Sequence, residues 1–241
     1  MPLLAIDTSA AISVAVLDVD GALLGERFSD STRLHAETLT PMIQELLFGL
    51  GLTAADLTAI AVGTGPGPFT GLRIGLVTAE TLAYALGIPV YGVCSLDALA
   101  ASAATALQLP YLSEIIATSD ARRKEVYWSR YSAELPNVGA RNLPASKFPE
   151  QQTPPQVSTP EVVAAQAKTA PGGFGHLVNN FPEEPLPVVK VVGFAGDEPK
   201  LVQAAWVGRL ALQRASGGIE QPTTPLYLRR PDIQGQAPQP M

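Results

Sequence analysis

Apolar and polar positions change period several times along this chain, and each change predicts an element. Residues 3–6, 12–17 and 23–28 read as strands, the last two joined by Asp18-Val19-Asp20-Gly21, whose Asp-Gly pair is a strong hairpin signal. From residue 34 to 50 the period turns helical, with Leu39, Met42, Ile43, Leu46, Leu47 and Leu50 on one face and Gly51 as the stop; Pro41 either kinks this helix or starts its second part at Thr40. Residues 57–62 form an apolar run fit for a buried strand. The alternation of glycine and proline from Gly63 to Pro68 can continue neither strand nor helix. Thr70 then caps a helix from Gly71 to Leu86, with Gly87 as its C-terminal stop. Residues 90–93 complete a strand–helix–strand unit suited to a parallel crossover, and Ser95 caps a helix to about Leu107.

The second half repeats the scheme more loosely. Strands at 111–118 and 125–131 flank the turn Ser119-Asp120-Ala121-Arg122-Arg123-Lys124. Prolines 136, 144, 149, 154, 155 and 160 leave only loop or short edge strand between 136 and 160, and Thr159-Pro160-Glu161 opens a short helix. A strand at 188–192, a helix at 199–215 and a disordered Gly/Gln/Pro-rich end follow. The expected organisation is an N-terminal lobe at 1–108, a C-terminal lobe at 109–228 and a tail at 229–241.

The helix after the Gly/Pro loop is apolar on two sides. At about 100° per residue, Leu72, Leu76, Ala79, Ala83 and Leu86 share one face, while Ile74, Val77, Thr81, Tyr84 and Ala85 lie broadly opposite, with Arg73 and Glu80 in a polar stripe between. One side should meet the sheet and the other a neighbouring helix or a partner protein.

Composition narrows the classes. With 241 residues, 46% of them hydrophobic, the chain can form one large domain or two small ones with their own cores. Its lone cysteine, Cys94, excludes an intramolecular disulfide and fits a cytoplasmic home; residues 1–6 are too short for a signal-peptide core, and nowhere do about 18 apolar residues run together as a membrane span requires. A net charge of −6 opposes contact with nucleic-acid phosphates unless cations gather locally. Arg122-Arg123-Lys124 and Arg229-Arg230 are the dense basic spots, and neither is interleaved with aromatics. Any RNA would then be held mostly by a partner.

Candidate chemistry is sparse. The Gly/Pro loop lacks the Gly-Lys-Ser/Thr of a P-loop and the G-x-G-x-x-G spacing, and Pro66 and Pro68 have no amide hydrogen, so a stiff turn that aims a helix fits better than a phosphate cradle. His35 and His176 are far apart and no H-E-x-x-H occurs, which leaves a metalloprotease without ligands. His35 suits a structural role at a helix start, Cys94 a core role, and Arg73 the fixing of the Gly/Pro loop or a pair with Glu80.

Several segments together resemble the bacterial TsaB (YeaZ) family: Leu4-Ala5-Ile6-Asp7-Thr8-Ser9, the helix from His35 to Leu47, the run from Ala61 to Gly75, Asp120-Ala121-Arg122-Arg123-Lys124-Glu125-Val126-Tyr127-Trp128, and Tyr227-Leu228-Arg229. Gly65, Gly67, Thr70, Gly71 and Arg73 are the marks of its structural motif. The resemblance implies an α/β, actin-like (ASKHA, ribonuclease H-like) fold with two related lobes of mixed sheet and helices. It also implies a non-catalytic scaffold that activates the transferase TsaD in threonylcarbamoylation of the adenosine 3′ to the anticodon, in tRNAs reading codons that begin with A. In TsaD two histidines spaced H-x-x-x-H help hold a metal; Ser95 and Leu99 stand in their place here, and neither is a comparable ligand.

The implied partners are TsaD, the ATPase TsaE and, through the complex, tRNA, with a homodimer in isolation and no membrane. The expected partner interface is Leu39, Met42, Ile43 and Leu46 with Leu72, Leu76, Ala79 and Ala83, packed as a four-helix contact. No intrinsic cofactor or metal site is expected, weak ATP or ADP with magnesium at a partner interface being the exception. For it, Asp7, Thr8 and Ser9 stand where actin-like kinases place a first phosphate loop, and Asp120 and Gly172–Gly175 where later loops would lie. An ordinary Asp/Ser turn is the favoured reading of the first of these, since Asp, Ser and Thr are common turn residues and no general base is identifiable. The alternative function is an actin-like phosphotransferase or nucleotide hydrolase with Asp7 and Asp120 around magnesium; a self-contained homodimer is a third reading.

Overall fold

Five strands, β1 (Leu3–Asp7), β2 (Ile12–Leu17), β3 (Leu23–Ser29), β4 (Ala59–Gly63) and β5 (Val90–Val93), form a first sheet in the order β3-β2-β1-β4-β5. The structure is a computed structural model and describes residues 2–29, 35–106, 113–133, 148–168, 175–179 and 201–229. β1 pairs antiparallel with β2 (Leu4 opposite Val16) and parallel with β4 (Leu4 opposite Ile60). β1, β2 and β4 are buried on both faces, so their sequences are continuous apolar runs without alternation.

One face of this sheet carries Leu4, Ile6, Val14, Ile60 and Val62 and is covered by α1 (His35–Gly49) and α2 (Phe69–Leu86). α1 runs through Pro41 without interruption. α2 ends as its sequence predicts, on Gly87 at φ 65°, but it begins earlier. Pro68 is the N-cap, and its carbonyl accepts the first helical bond from Leu72 N at 3.1 Å. Thr70 therefore lies inside the first turn, exposed, and caps nothing; proline closes the loop by its fixed φ of −59° instead.

The opposite face, with Leu3, Ala5, Ala15, Leu17 and Ala61, meets α5 (Ala204–Ser216), which packs in turn on α3 (Ser95–Ala106). Close approach of α5 requires Gly208, where a Cβ would stand 3.1 Å from Leu3 and 3.2 Å from Ala5. Ser13 Oγ accepts from Ala204 N at 2.9 Å, anchoring the start of the helix on β2.

α3 carries the assembly onward to a second sheet of β6 (Ser113–Asp120), β7 (Val126–Ala133), β8 (Glu150–Gln151), β9 (Gln156–Ser158) and β10 (Gly175–Asn179), in the order β10-β6-β7-β8 with β9 also on β7. α4 (Pro160–Lys168) packs on β10. Asp97, the one charged residue of α3, fastens three elements: it accepts from Tyr131 Oη on β7 at 2.8 Å and from Arg214 Nη2 on α5 at 2.6 Å. Burial first, and the Asp97 charge second, push the Tyr131 phenol and the Cys94 thiol well above their ordinary values, so both are neutral packing groups.

The sequence-based expectations differ from this arrangement in three places. β10, parallel to β6, begins at Gly175, where a glycine-rich loop was the expectation; residues 172–174 lie outside the described residues. The expected strand at 188–192 and the end of the chain from residue 230 also lie outside them. The last helix starts at Ala204 instead of 199. Arg229, assigned to the tail, is held by the second sheet: its guanidinium donates to Ala121 O at 3.0 Å and pairs with Glu125.

Candidate functional site

The site expected at Asp7, Thr8 and Ser9 is the turn that leaves the end of β1, and every side-chain oxygen of the three has an internal partner. Asp7, 1% exposed, accepts through Oδ1 from Ser9 N (2.9 Å) and Ser9 Oγ (2.7 Å), and through Oδ2 from Ser95 Oγ (2.6 Å) at the start of α3. Ser95 Oγ accepts from Gly65 N at 3.2 Å, and Ser95 N donates to Gly65 O at 2.7 Å. Ser95 thus bridges β1 to the Gly/Pro loop and does not cap α3. Thr8 Oγ1 donates to Gly71 O at 2.8 Å.

The glycines explain how the loop reaches this turn. Gly67 lies against Ser9, where a Cβ would stand 2.9 Å from its Cα, and Gly71 against Thr8 O at 2.8 Å; a Cβ at Gly75 would overlap Thr8 Oγ1. Gly65 takes φ 89°, a region L side chains rarely enter. The first turns of α2 therefore sit on the turn where a phosphate loop would need open space. Arg73 stacks over Phe69, 5.2 Å from its ring centroid, while Glu80 accepts from Thr223 Oγ1 at 2.6 Å; the expected Arg73–Glu80 pair is replaced by these two contacts.

Burial pushes the Asp7 carboxyl above its ordinary value, opposed in part by the hydrogen bonds from Ser95 and Ser9. The folded state then holds the Asp7 proton more firmly than the unfolded state. The stability this group contributes is complete below the unfolded value of 3.8 and declines as pH rises from there through the raised folded value. An Asp7→Asn variant keeps the shape and removes the titration. Its unfolding free energy should gain on that of the wild type as pH rises above about 4, in urea titrations from acid to neutral pH; a constant difference would contradict the burial of a titrating carboxyl.

Asp120 lies on the other sheet and makes a turn of its own: Oδ1 accepts from Arg122 N at 2.7 Å and Oδ2 pairs with Arg122 at 3.4 Å. Asp7 and Asp120 thus serve separate turns. Among the described residues no group of three or more His, Cys, Asp or Glu gathers as a metal site, and none of their helices is long and apolar enough to cross a membrane.

The eight residues of the expected partner interface are brought together, but inside the monomer. Leu39, Met42, Ile43, Leu46, Leu72, Leu76, Ala79 and Ala83 are each at most 8% exposed and pack against the first sheet. That corrects the expectation. Both apolar faces of α2 were candidates, and the sheet takes the one of Gly71, Leu72, Gly75, Leu76, Ala79 and Ala83, where small residues let the helix come close and the two leucines fill the layer. The opposite face remains on the surface with Val77 and Tyr84, and α1 contributes Phe48.

Sequence reasoning missed the strap that residues 221–229 form. Gly92 N donates to Gln221 O at 2.9 Å and Leu226 N to Thr64 O at 2.9 Å. Tyr227 stacks on Phe69 with ring centroids 4.9 Å apart, before Arg229 reaches the second sheet. Tyr227-Leu228-Arg229 stood out as a motif, yet the partners of the Tyr227 ring and the Arg229 guanidinium are distant in sequence. The Asp97 centre had a local signal in a lone charge on an alanine-rich helix.

Two mixed sheets flanked by helices define an α/β protein of the actin-like, ribonuclease H-like class. The family model for TsaD, tRNA N6-adenosine threonylcarbamoyltransferase, matches residues 28–145. The solved structure of YeaZ from Pseudomonas aeruginosa is 30% identical, covers 94% of this chain and 99% of its own, and superposes with a TM-score of 0.71. The chain belongs to the YeaZ family. A Mycobacterium tuberculosis protein without a functional name is 47% identical over 56% of this chain and 62% of its own length. The tRNA threonylcarbamoyladenosine biosynthesis protein TsaB of Escherichia coli is 36% identical over 56% of each. The matched part spans little more than half the length of these curated relatives.

Proposed function

We propose that the chain takes part in threonylcarbamoyladenosine biosynthesis on tRNA as a non-catalytic subunit that binds and activates the transferase TsaD. The observation that carries this reading is the occupied turn at Asp7. A carboxylate that orients magnesium needs an open side and water, whereas both Asp7 oxygens are bonded internally and the Gly/Pro loop covers Thr8 and Ser9. Ser95, at one of the two positions that correspond to metal-binding histidines in TsaD, is bonded to Asp7, and Leu99, at the other, is in the core. The name borne by the Escherichia coli relative supports the pathway.

In this reading TsaD docks on the outer side of α1 and α2, where Phe48 is 86% exposed, Val77 53% and Tyr84 91%. A second copy of the chain takes that face when TsaD is absent, TsaE joins the complex, and weak ATP or ADP with magnesium binds, if at all, where the partners meet. Tyr84→Glu should leave thermal stability within about 0.5 kcal/mol of the wild type, since the residue is on the surface, while weakening TsaD binding at least about tenfold by placing a charge in an apolar contact.

Size-exclusion chromatography with light scattering, on the chain mixed with TsaD of the same organism, tests both statements. A one-to-one complex lost in Tyr84→Glu supports them, and no complex at micromolar concentration, with nucleotide and TsaE present, overturns the scaffold reading. ATP turnover by the isolated chain that disappears in Asp7→Ala would assign it to nucleotide chemistry instead.

A further inference from the structure

We infer that the chain carries a contact site for unpaired RNA where the 221–229 strap meets the turn between β6 and β7. This rests on the reading of the chain as a tRNA-modification subunit and adds a direct RNA contact to it. In sequence the basic turn at Arg122–Lys124 is distant from Phe69 and Tyr227, and the 221–229 strap links them. Arg73 stacks on Phe69, Phe69 on Tyr227 at 4.9 Å, and two residues further on Arg229 is bonded to Ala121 O beside the basic turn. Two residues of chain span at most about 7 Å, so Tyr227 stands close in the chain to Arg229, whose guanidinium reaches the base of the basic turn.

The surface is open. Tyr227 is 40% exposed, the Arg122 side chain 65%, and Lys124 is exposed. Unpaired nucleotides need this combination, a ring face for the base and cations for the backbone. Asp120 and Glu125 are engaged with Arg122 and Arg229, and Glu80, bonded to Thr223, marks the acidic edge of the surface.

The backbone of the turn gives a second argument. Arg122, Arg123 and Lys124 stand at φ 63°, 54° and 62°, a left-handed run that glycine or asparagine would adopt with less strain. The turn is tied by Ala121 N to Glu125 O and by Glu125 N to Arg122 O, both at 3.0 Å, and these bonds use no side chain of the three. Cations at positions that disfavour any branched or long residue point to a role for the charges themselves, and cations gathered locally are the condition under which a chain of net charge −6 can hold a polyanion.

Fluorescence anisotropy of the full chain with a labelled oligouridylate of about a dozen nucleotides, and with an RNA duplex of the same length, tests the site across a salt series. The unpaired strand should bind more tightly than the duplex. Tyr227→Leu should lose about tenfold and Tyr227→Phe should bind as the wild type. Arg122→Gln combined with Lys124→Gln should lower the log–log salt slope by about 1.4. Lys124→Gly relieves one left-handed residue, so it should melt higher than the wild type while binding RNA more weakly, an outcome that separates loss of contact from loss of fold.

Wild-type affinity in both Tyr227→Leu and the double variant, equal binding of duplex, or equal binding of polyglutamate would overturn the assignment, the last marking a dock for acidic protein segments. Light scattering with TsaD on the same samples keeps the two readings apart. A TsaD complex with no RNA binding by the wild-type chain sinks the site alone, and RNA binding without a TsaD complex sinks the scaffold reading alone.

Discussion

Leu76→Glu should abolish the folded state, not merely a partner contact. Leu76 is 4% exposed on the face of α2 that packs with Leu4, Ile6 and Ile60 of the first sheet. The substitution removes a leucine side chain from a packed layer, in itself worth about 2–5 kcal/mol, and puts a carboxyl there without a cation or donor to meet it. Against a total stability of about 5–15 kcal/mol the sum is large enough to unfold the domain or leave it marginal. Circular dichroism with a urea titration measures it beside Tyr84→Glu, one helical face away on the same element. Leu76→Glu unfolding near the wild-type midpoint while Tyr84→Glu is strongly destabilised would mean that α2 presents its other side to the sheet.

Gly63→Ala should destabilise the chain by about 3–5 kcal/mol through a single methyl group. Gly63 ends β4 directly across from the Asp7 carboxyl. A Cβ there would overlap Asp7 Oδ2 and stand 2.8 Å from Asp7 Cγ and 2.9 Å from Ser95 Oγ. Asp7 can yield only by surrendering its bonds to Ser9 and Ser95, leaving buried polar atoms without partners. The clash and the lost bonds belong to one cluster, so the two effects should be coupled. Asp7→Ala costs stability alone, but combined with Gly63→Ala it makes room for the new methyl, and the double variant should be more stable than the sum of the single losses by more than about 1 kcal/mol. Additive losses in denaturant titrations of the four proteins would show that Gly63 and Asp7 are not in contact.

Local rules carried the first sheet far. The Asp-Gly turn, the apolar runs of β1, β2 and β4 and the helix stop at Gly87 are all visible in short windows, because each is set by neighbours within a few residues. The same windows misplaced the start of α2, since a threonine in capping position competes with a proline two residues earlier, and they missed β10, a short strand after a glycine pair whose partner among the described residues, β6, is more than 50 residues away.

The candidate site was legible as residues and not as an arrangement. Asp7-Thr8-Ser9, the glycine series, Arg122–Lys124 and Tyr227–Arg229 were all conspicuous in the sequence, and the resemblance they carry placed the chain in its family. Their partners were not legible. Ser95 meets Asp7 across 88 residues, Thr8 meets Gly71 across 63, and Arg229 meets Ala121 across 108.

By itself, then, the sequence determined the elements, the absence of an intramolecular disulfide, the family motifs and the fact that α2 is apolar on two sides. Only the tertiary structure decided which side is core, that the Asp7 turn is filled by the Gly/Pro loop, and that the strap carrying Tyr227 is bonded through Arg229 beside the basic turn. The physical reason is range. Period, caps and turns are fixed by torsions and hydrogen bonds between near neighbours, whereas burial and the pairing of polar atoms depend on which distant surfaces close on one another, and a helix with two apolar faces carries no local mark of which one the sheet will cover.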